Sequence, residues 1–459
     1  MKKFAIFALC ISTLVIFMAC GSKTTDEPLV EEVDKFEKNW HHWRGPFSNG
    51  TAINAKPPTT WSEDENIRWK VPIPGLGHAT PIIWEDRIFI QTAIELEMPE
   101  QETTNAEEQP EEESGRRRGR RGRSRTIPPY KFEILALNRT DGSTLWQKTL
   151  RETVPHEGMH NDSSFASNSP VTDGEHIYAY FGSRGLYCLD MKGNIIWEKD
   201  LGKMRKAGTF GEGSCPIIHG NAIIILQDHE DQSFITALDK RTGDEIWKEL
   251  RDERTTWTSP IVVDYNGTSQ VVVPATNRTR SYDLANGEVI WECGGMTRNV
   301  IPSPLYMDGH VYIISGFRGS SLQAINLDLA KGDITNTEAV VWEYNRDTPY
   351  VPSPLLNQDI IYFLKGNTGI LTAIDRNTGE VHYGPERLQG ISSVYSSIAG
   401  TEDRVYVASR NGNVTVLKYG PTLEILARNK LDDSFNASPV IVGSELYLRG
   451  TQHLYCIAE

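Results

Sequence analysis

The stretch Ala237-Leu-Asp-Lys-Arg-Thr-Gly-Asp-Glu-Ile-Trp247 is the clearest copy of a phrase that recurs along most of the chain. A full copy begins earlier, with Ser-Pro, a strand, a turn and a second strand that ends in Tyr and apolar residues. Eight copies follow one another from His78 onward, with a period of roughly 35 to 45 residues and about four strand-sized runs each. This period and strand content predict an all-β protein, an eight-bladed β-propeller.

The eighth copy stops one strand short of the others. It ends at Leu454-Tyr-Cys-Ile-Ala-Glu459, whereas a closing strand follows the matching place in the earlier copies. Ahead of the first copy, Asn66-Ile-Arg-Trp-Lys70 reads like a closing strand without a blade of its own. Because an open ring would leave two unpaired sheet edges, we expect this N-terminal strand to complete the eighth blade and close the ring.

The N-terminus has the pattern of an export signal. Lys2 and Lys3 precede an apolar run that is too short for a membrane span. The run ends in Met-Ala-Cys20-Gly, which resembles the lipobox of bacterial lipoproteins and implies lipidation of Cys20. An ordinary secretory signal is the alternative. We expect a signal peptide at 1–19, a tether and N-terminal extension at 20–60, and the propeller at 61–459. Because Gly21 stands where Asp would favour inner-membrane retention, an outer-membrane anchor is expected, on the periplasmic or the surface face.

Charge and cysteine content narrow the classes of partner. The formal net charge of −14 argues against nonspecific nucleic-acid binding. Beyond the signal region and Cys20, four cysteines remain, each in a different blade: Cys188, Cys215, Cys293 and Cys456. Disulfides are allowed outside the cytoplasm, but small buried hydrophobes are the favoured role for these side chains. We expect a monomer.

Basic side chains recur in the loops at one end of the predicted channel. If the first strand of each blade lines the axis, the loops between second and third strands share this mouth with the loops between blades. Seven copies carry such a residue there: Arg184, His229, Arg278 with Arg280, Arg318, Lys365, Arg410 and His453. A cationic ring around a concavity would bind an anionic ligand or an acidic partner surface. The alternative is that each pairs with a nearby carboxylate.

In the remaining copy the corresponding loop expands into an insertion over 95–129. It runs from Glu-rich to Arg-rich, as in Arg116-Arg-Arg-Gly-Arg-Arg-Gly-Arg123. Such a composition is typical of disorder. Its position makes it a candidate lid or docking arm over the mouth.

His156-Glu-Gly-Met-His160 matches the zinc-protease motif H-E-x-x-H. That chemistry needs both histidines on one face of a helix. Pro155, Gly158 and the linker position argue against a helix, so we expect no protease. A non-catalytic metal or polar cluster remains open, with these candidate ligands: His156, His160, Asp162, Asp228 and Glu230. The simpler alternative is a hydrogen-bonded loop that packs over the mouth.

The phrase Ala-x-Asp-x-x-Thr-Gly-x-x-x-Trp resembles the tryptophan-docking motif of pyrroloquinoline-quinone (PQQ) propellers, over essentially 61–459. The resemblance implies that an aromatic residue of each closing strand docks on the neighbouring blade. The tryptophans in that role would be Trp69, Trp146, Trp197, Trp247, Trp291 and Trp342, with Tyr383 and Ala427 at the matching places of the sixth and seventh copies.

Two functional classes follow from this resemblance. One is a non-catalytic scaffold like the propeller lipoprotein of the outer-membrane β-barrel assembly machinery, which binds a protein partner or an anionic polymer and needs no cofactor. The other is a quinoprotein oxidoreductase that acts on an alcohol or sugar with PQQ and calcium. Those enzymes use a pair of adjacent cysteines, which this chain lacks. Because site residues weigh more than fold, the sequence favours the scaffold.

Overall fold

Short strands make up almost all regular structure in the computed structural model, which describes residues 35–98 and 127–459. The strands β1 (Thr51–Ala52) and β2 (Ile67–Pro72) precede the blades. The first four blades contain β3 (Ile82–Trp84), β4 (Arg87–Glu95), β5 (Tyr130–Asn138) and β6 (Thr144–Thr153); β7 (Val171–Thr172), β8 (His176–Tyr180), β9 (Leu186–Asp190) and β10 (Ile195–Lys199); β11 (Ile217–His219), β12 (Ala222–Gln227), β13 (Ser233–Asp239) and β14 (Glu245–Arg251); and β15 (Ile261–Tyr265), β16 (Thr268–Val273), β17 (Thr279–Asp283) and β18 (Val289–Cys293). Two single-turn 3₁₀ helices, Gly182–Arg184 and Ala207–Thr209, lie in loops.

The remaining four blades repeat the same four-strand meander. They contain β19 (Leu305–Met307), β20 (His310–Ser315), β21 (Ser321–Asn326) and, after the two-residue β22 (Gly332–Asp333), β23 (Val340–Glu343); β24 (Leu355–Asn357), β25 (Ile360–Leu364), β26 (Ile370–Asp375) and β27 (Val381–Arg387); β28 (Ala399–Thr401), β29 (Arg404–Ala408), β30 (Asn413–Lys418) and β31 (Ile425–Lys430); and β32 (Val440–Val442), β33 (Glu445–Arg449) and β34 (His453–Ile457). First strands of neighbouring blades contact each other, so they line the axis. The predicted eight-bladed β-propeller is confirmed.

The eighth blade takes its outer strand from the N-terminus. Strand β2 pairs antiparallel with β34, in a sheet of order β2-β34-β33-β32. Trp69 lies opposite Cys456 in this ladder, as Trp197 lies opposite Cys188 in the second blade. The N-terminal closing strand predicted from the sequence is therefore present, and it removes the free edge between the last and first blades.

A belt of hydrogen bonds runs around the axis at the start of the first strands. Its members occupy the same place in each copy: Thr80, Ser169, Cys215, Ser259, Ser303, Ser353, Ser397 and Ser438. At seven of these places the backbone N–H donates to the side-chain oxygen or sulfur of the next member, over 2.8–3.1 Å. Between the fourth and fifth blades, Thr258 Oγ1 donates to the Pro302 carbonyl instead. The Ser of the repeated Ser-Pro thus links blades.

Indole groups link the blades at their outer edge. The Nε1–H of each of five tryptophans donates to a backbone carbonyl in the next blade over 2.7–3.2 Å: Trp69, Trp146, Trp197, Trp247 and Trp342. Each of these indoles also packs on the glycine of that turn. At Gly287, for example, the backbone φ is +80° and an added Cβ would lie 2.7 Å from the Trp247 ring. Glycine is therefore required there both for backbone conformation and for contact.

Trp291 does not share the docking geometry expected from its place in the repeat. Its Nε1–H donates to Gln270 Oε1 within the same blade at 3.1 Å, and the side chain is fully buried. The reason lies in the fifth blade, whose third turn is expanded and contributes β22 as a parallel fifth strand beside β18. That strand covers the outer edge on which a docked turn would otherwise pack.

The segment 39–52 crosses the end of the channel opposite the mouth. Trp40 bridges to Ile83 in β3, and β1 pairs with β28 in the seventh blade. Arg44 anchors the crossing, because its guanidinium donates to the carbonyls of Ile398 (2.9 Å) and Pro354 (2.6 Å). From Asn39 onward the predicted extension is thus part of the folded body and acts as a plug.

Each cysteine of the described residues is buried with a free thiol: Cys188, Cys215, Cys293 and Cys456. Burial raises the pKa of the Cys188 and Cys456 thiols to about 12. Among the described residues, no helix has the length and apolar character needed to cross a membrane. The predicted signal peptide, Cys20 and most of the charged insertion lie outside the described residues.

Candidate functional site

The axial channel contains a cavity of about 410 Å³, and its wall is formed by residues of the blades and of the loops between them. Trp43 of the plug forms part of the lining, so the cavity ends at the plug and opens toward the mouth. Burial of Arg44 lowers the pKa of its guanidinium to about 9, which leaves it protonated at neutral pH. The plug thus converts a through-channel into a pocket with one entrance.

Two long loops between blades cover part of this entrance. The loop 154–168 joins the first and second blades, and the loop 200–216 joins the second and third. Asp162, in the first of these loops, reaches the seventh blade, where it accepts hydrogen bonds from Arg410 (2.8 Å) and the Tyr395 hydroxyl (3.2 Å). The Arg410 side chain holds the pKa of this carboxyl below its usual range against the opposing effect of burial. These two loops, the roof loops, therefore cover part of the entrance, and Asp162 holds the first of them to the opposite side of the mouth.

Stacked aromatic rings form one wall of the cavity. Phe210 and Trp257 stack with ring centroids 6.5 Å apart, and Phe317 and Tyr350 stack at 4.6 Å. The Trp257 Nε1–H donates to the Gly211 carbonyl at 2.7 Å, which fixes the orientation of the indole. These side chains come from the loops around the third to sixth blades and line the cavity.

The opposite wall is polar. Asn436 from the eighth blade and His78 from the first line the cavity, with Asn436 Nδ2 lying 3.0 Å from His78 Nε2. Burial lowers the pKa of His78 to about 3, assisted by the positive charges of Arg449 and Arg410, so this imidazole is neutral at physiological pH. The Asn436 Oδ1 atom is buried without a hydrogen-bond partner. An acceptor is thus available at the cavity wall.

Glu212 also lines the cavity, but its charge is compensated. Its carboxylate lies 3.0 Å from Arg184 Nη1 and accepts hydrogen bonds from both the backbone N–H and the hydroxyl of Ser183. Arg184 is buried and packs against the rings of Phe132 and Phe165. This pair belongs to the structural support of the roof loops.

The predicted basic residues of the mouth are mostly paired with acidic residues. Nitrogen-to-oxygen distances of 2.8–4.0 Å join them as Arg184 to Glu212, His229 to Asp231, Arg278 to Glu292 and Asp333, Lys365 to Asp347, Arg410 to Asp162, and His453 to Asp433. Arg318 contacts the Phe317 ring at 5.3 Å. Arg280 lies within β17 and pairs with Asp252, Glu253 and Glu292. The geometry matches the ion-pair alternative for most of the ring.

The five candidate metal ligands do not meet at one point. Asp228 is buried against Arg251, with a distance of 2.8 Å to its Nε, and Glu230 accepts from the Thr255 hydroxyl at 2.7 Å. His160 lies beside Asp162, with 3.6 Å between their nearest nitrogen and oxygen. A different group lies together within the described residues, because ligand atoms of His156, Glu157 and Glu212 are all within 4.8 Å of one another.

The segment His156–His160 is not helical. It therefore lacks the helix on which H-E-x-x-H chemistry depends. His156 Nε2 lies 2.7 Å from the Met204 carbonyl oxygen, and Glu157 accepts from the Lys206 backbone N–H at 3.1 Å. This part of the motif joins the two roof loops.

Sequence reasoning missed the aromatic lining and the floor of the cavity. Trp257 directly precedes the Thr-Ser-Pro opening of the fourth copy, and Tyr350 precedes the opening of the sixth. Alignment of the eight openings could have shown that these positions face the axis. No repeat contains Trp43, so its place could not be inferred from periodicity.

Comparison with known proteins places the chain within a described group. The family model described as outer membrane protein assembly factor BamB matches residues 131–383. No curated protein sequence matches at a significant level. The crystal structure of BamB from Moraxella catarrhalis is similar with a TM-score of 0.50 and 14% identity, over 70% of this chain and 91% of that chain.

Two enzymes share the fold over a larger part of the chain. A europium-containing methanol dehydrogenase has a TM-score of 0.62 at 9% identity, over 93% of this chain and 92% of that chain. The quinohemoprotein alcohol dehydrogenase from Comamonas testosteroni has a TM-score of 0.61 at 10% identity, over 94% and 84%. At these identities the likeness establishes the fold alone.

Proposed function

This chain belongs to the family described as outer membrane protein assembly factor BamB, and from that premise we propose that it is a binding scaffold which docks a protein partner in the bacterial cell envelope. The scaffold performs no chemistry of its own. It is held at the outer membrane by the lipid on Cys20, which lies outside the described residues. The docking surface is the mouth of the propeller, with the roof loops 154–168 and 200–216 at its centre.

Because the mouth cations are paired with carboxylates, we favour a protein over an anionic polymer as the binding partner. Of the five mouth positions held by Arg or Lys, four have a carboxylate within 4.0 Å, so little net positive charge is left to attract a polyanion. A protein surface instead presents both signs of charge and apolar side chains. A rim of fixed ion pairs with aromatic rings between them is suited to such a surface.

The cavity lining argues against the oxidoreductase alternative. PQQ carries three carboxylates, and a pocket for it needs cations free to meet them. The acidic side chains of the lining, Asp162 and Glu212, are each held by an arginine. Cys215 is the lining cysteine, with no cysteine next to it in sequence. These residues do not fit PQQ with calcium.

The experiment is capture of the partner by the intact lipoprotein. The tagged full-length protein is expressed in its native envelope, crosslinked, and recovered after detergent extraction. We expect an outer-membrane assembly protein to copurify. Arg318→Glu and Lys365→Glu reverse exposed charges at the mouth and should weaken the complex at least about tenfold. Arg428→Glu, a matched reversal on the outer strand β31, should leave it intact.

Two results would contradict this proposal. Retention of every copurifying protein by the double mouth variant would remove the mouth as the docking surface. Stoichiometric binding of added PQQ with Ca²⁺, accompanied by reduction of an electron-accepting dye, would show an enzyme.

A further inference from the structure

The cavity is built like a small-molecule site rather than a gap between blades. Its volume of about 410 Å³ falls in the range of roughly 300–1,000 Å³ that such sites occupy. The plug closes the far end, and the roof loops narrow the entrance. A ligand can therefore be enclosed on most of its surface while it enters from the mouth alone.

Both carboxylates of the cavity lining are paired with an arginine, which favours a neutral ligand. Asp162 is paired with Arg410 at 2.8 Å and Glu212 with Arg184 at 3.0 Å. His78 is uncharged in its buried position. A charged ligand would lose its hydration shell, and the cavity lining offers it no unpaired charge in return, which is unfavourable.

The two walls of the cavity favour different chemical groups on the two sides of the ligand. The third to sixth blades supply the rings of Phe210, Trp257, Phe317 and Tyr350. An aromatic face is electron-rich, so it attracts the weakly positive C–H groups of an aliphatic ring that lies flat against it. This contact favours a saturated ring with axial C–H bonds on one side.

Across the axis, the eighth and first blades supply hydrogen-bonding groups. Asn436 Oδ1 is buried without a partner and needs a donor. The carboxylate of Asp162 and the hydroxyls of Ser163 and Ser167 also line the cavity. A purely apolar ligand would leave the Asn436 oxygen unpaired, whereas a ring that carries several hydroxyls would satisfy it.

From these observations we infer that the axial cavity binds a neutral saccharide, with one pyranose ring stacked on the Trp257 and Tyr350 wall and its hydroxyls directed toward Asn436, His78 and Asp162. The sugar is a bound ligand and is not oxidised. This inference does not depend on the partner protein, since the ring lies below the rim that the partner would contact. It predicts that the protein recognises glycan or free sugar outside the cytoplasm.

The test is titration of the purified full-length protein with four neutral probes: D-glucose, D-galactose, D-mannose and N-acetyl-D-glucosamine. Calorimetric heat and tryptophan fluorescence report binding, because Trp43 and Trp257 line the cavity. We expect at least one probe to bind with a dissociation constant in the millimolar range or tighter. Tyr350→Leu and Asn436→Ala should each weaken that probe by about threefold to tenfold. Leu250→Ala, on the outer strand β14 and 66% exposed, is the matched control and should not change it.

Several outcomes would overturn the inference. Absence of binding by all four probes up to their solubility limits would do so, and so would equal affinity in both cavity variants that keep the wild-type melting temperature. Tighter binding of D-glucuronate than of D-glucose would contradict a neutral ligand. Binding of indole without binding of any sugar would identify the pocket as a receptor for an aromatic side chain instead. Each of these results can be interpreted even if the capture experiment recovers no partner protein, because the titration uses the purified protein alone.

Discussion

The docking tryptophans contribute a hydrogen bond and a packed surface at a single position. Trp247 shows both, because its Nε1–H donates to the Leu284 carbonyl at 2.7 Å while the ring covers Gly287. The side chain is 7% exposed and stacks with Tyr282 at 6.5 Å. The same residue therefore belongs to the core of one blade and to the boundary with the next.

Replacement of Trp247 separates these two contributions. Trp247→Phe keeps an aromatic ring and loses the hydrogen bond, so the free energy of unfolding should fall by about 1 kcal/mol. Trp247→Ala also leaves a cavity between blades and should cost about 3–5 kcal/mol. Urea unfolding followed by tryptophan fluorescence measures both. Equal losses in the two variants would show that packing on Gly287 contributes little.

Among elements, the plug contains two histidines that are kept neutral. Burial lowers the pKa of His42 to about 3 and that of His41 to about 4. His42 Nδ1 accepts a hydrogen bond from the Arg44 backbone N–H, with 3.3 Å between the two nitrogens. In the unfolded chain both imidazoles titrate near their ordinary pKa of 6.5. The folded state thus binds fewer protons than the unfolded state below that pH.

This difference predicts loss of stability in mild acid. Above pH 6.5 both histidines make their full contribution to the free energy of unfolding. As pH falls from 6.5 toward their folded pKa values, each lowers that free energy by about 1.4 kcal/mol per pH unit. His42→Asn removes one of the two and should reduce the slope by that amount. Denaturant unfolding at about pH 7 and about pH 5 measures it. An unchanged slope in the variant would show that other groups dominate acid sensitivity.

The latch strand β2 and the plug can be compared by truncation. A chain that starts at residue 73 lacks β2 and exposes the edge of β34, so we expect aggregation and a lower melting temperature. A chain that starts at residue 53 lacks the plug and keeps the latch, and it should remain monomeric. Size-exclusion chromatography and thermal unfolding distinguish them. A monomeric, equally stable chain from residue 73 would contradict the role of closure.

For the whole molecule, the proposed lipid anchor determines location while the propeller determines binding. Cys20→Ala should release the protein from the membrane fraction into the soluble envelope fraction, because several acyl chains on one residue hold a protein stably and none would remain. Fractionation of cells with labelled fatty acid measures both lipidation and location. Membrane retention of the variant without label would indicate that partner contacts are sufficient to hold it.

The fold could be predicted far better than the site. The spacing of the repeated phrase predicted the blade number, and the missing outer strand of the eighth blade identified β2, because both depend on local pattern and on closure of sheet edges. Basic residues at the mouth were found in the same way. The pairing of these basic residues with acidic ones could not be predicted, because the carboxylates come from other loops. Glu212 meets Arg184 only after the loop between the second and third blades folds back.

By itself, the sequence determined the eight blades, the latch and the end of the channel at which the variable loops lie. Within a blade a strand pairs with its neighbour in the chain, an unpaired edge requires a closing strand, and a repeat places equivalent residues on equivalent faces. Only the tertiary structure decided that 39–52 plugs the channel, that Asp162 crosses to Arg410, and that four aromatic rings face Asn436 across the axis. These contacts join residues far apart in sequence, where no local periodicity constrains them, and they define the pocket.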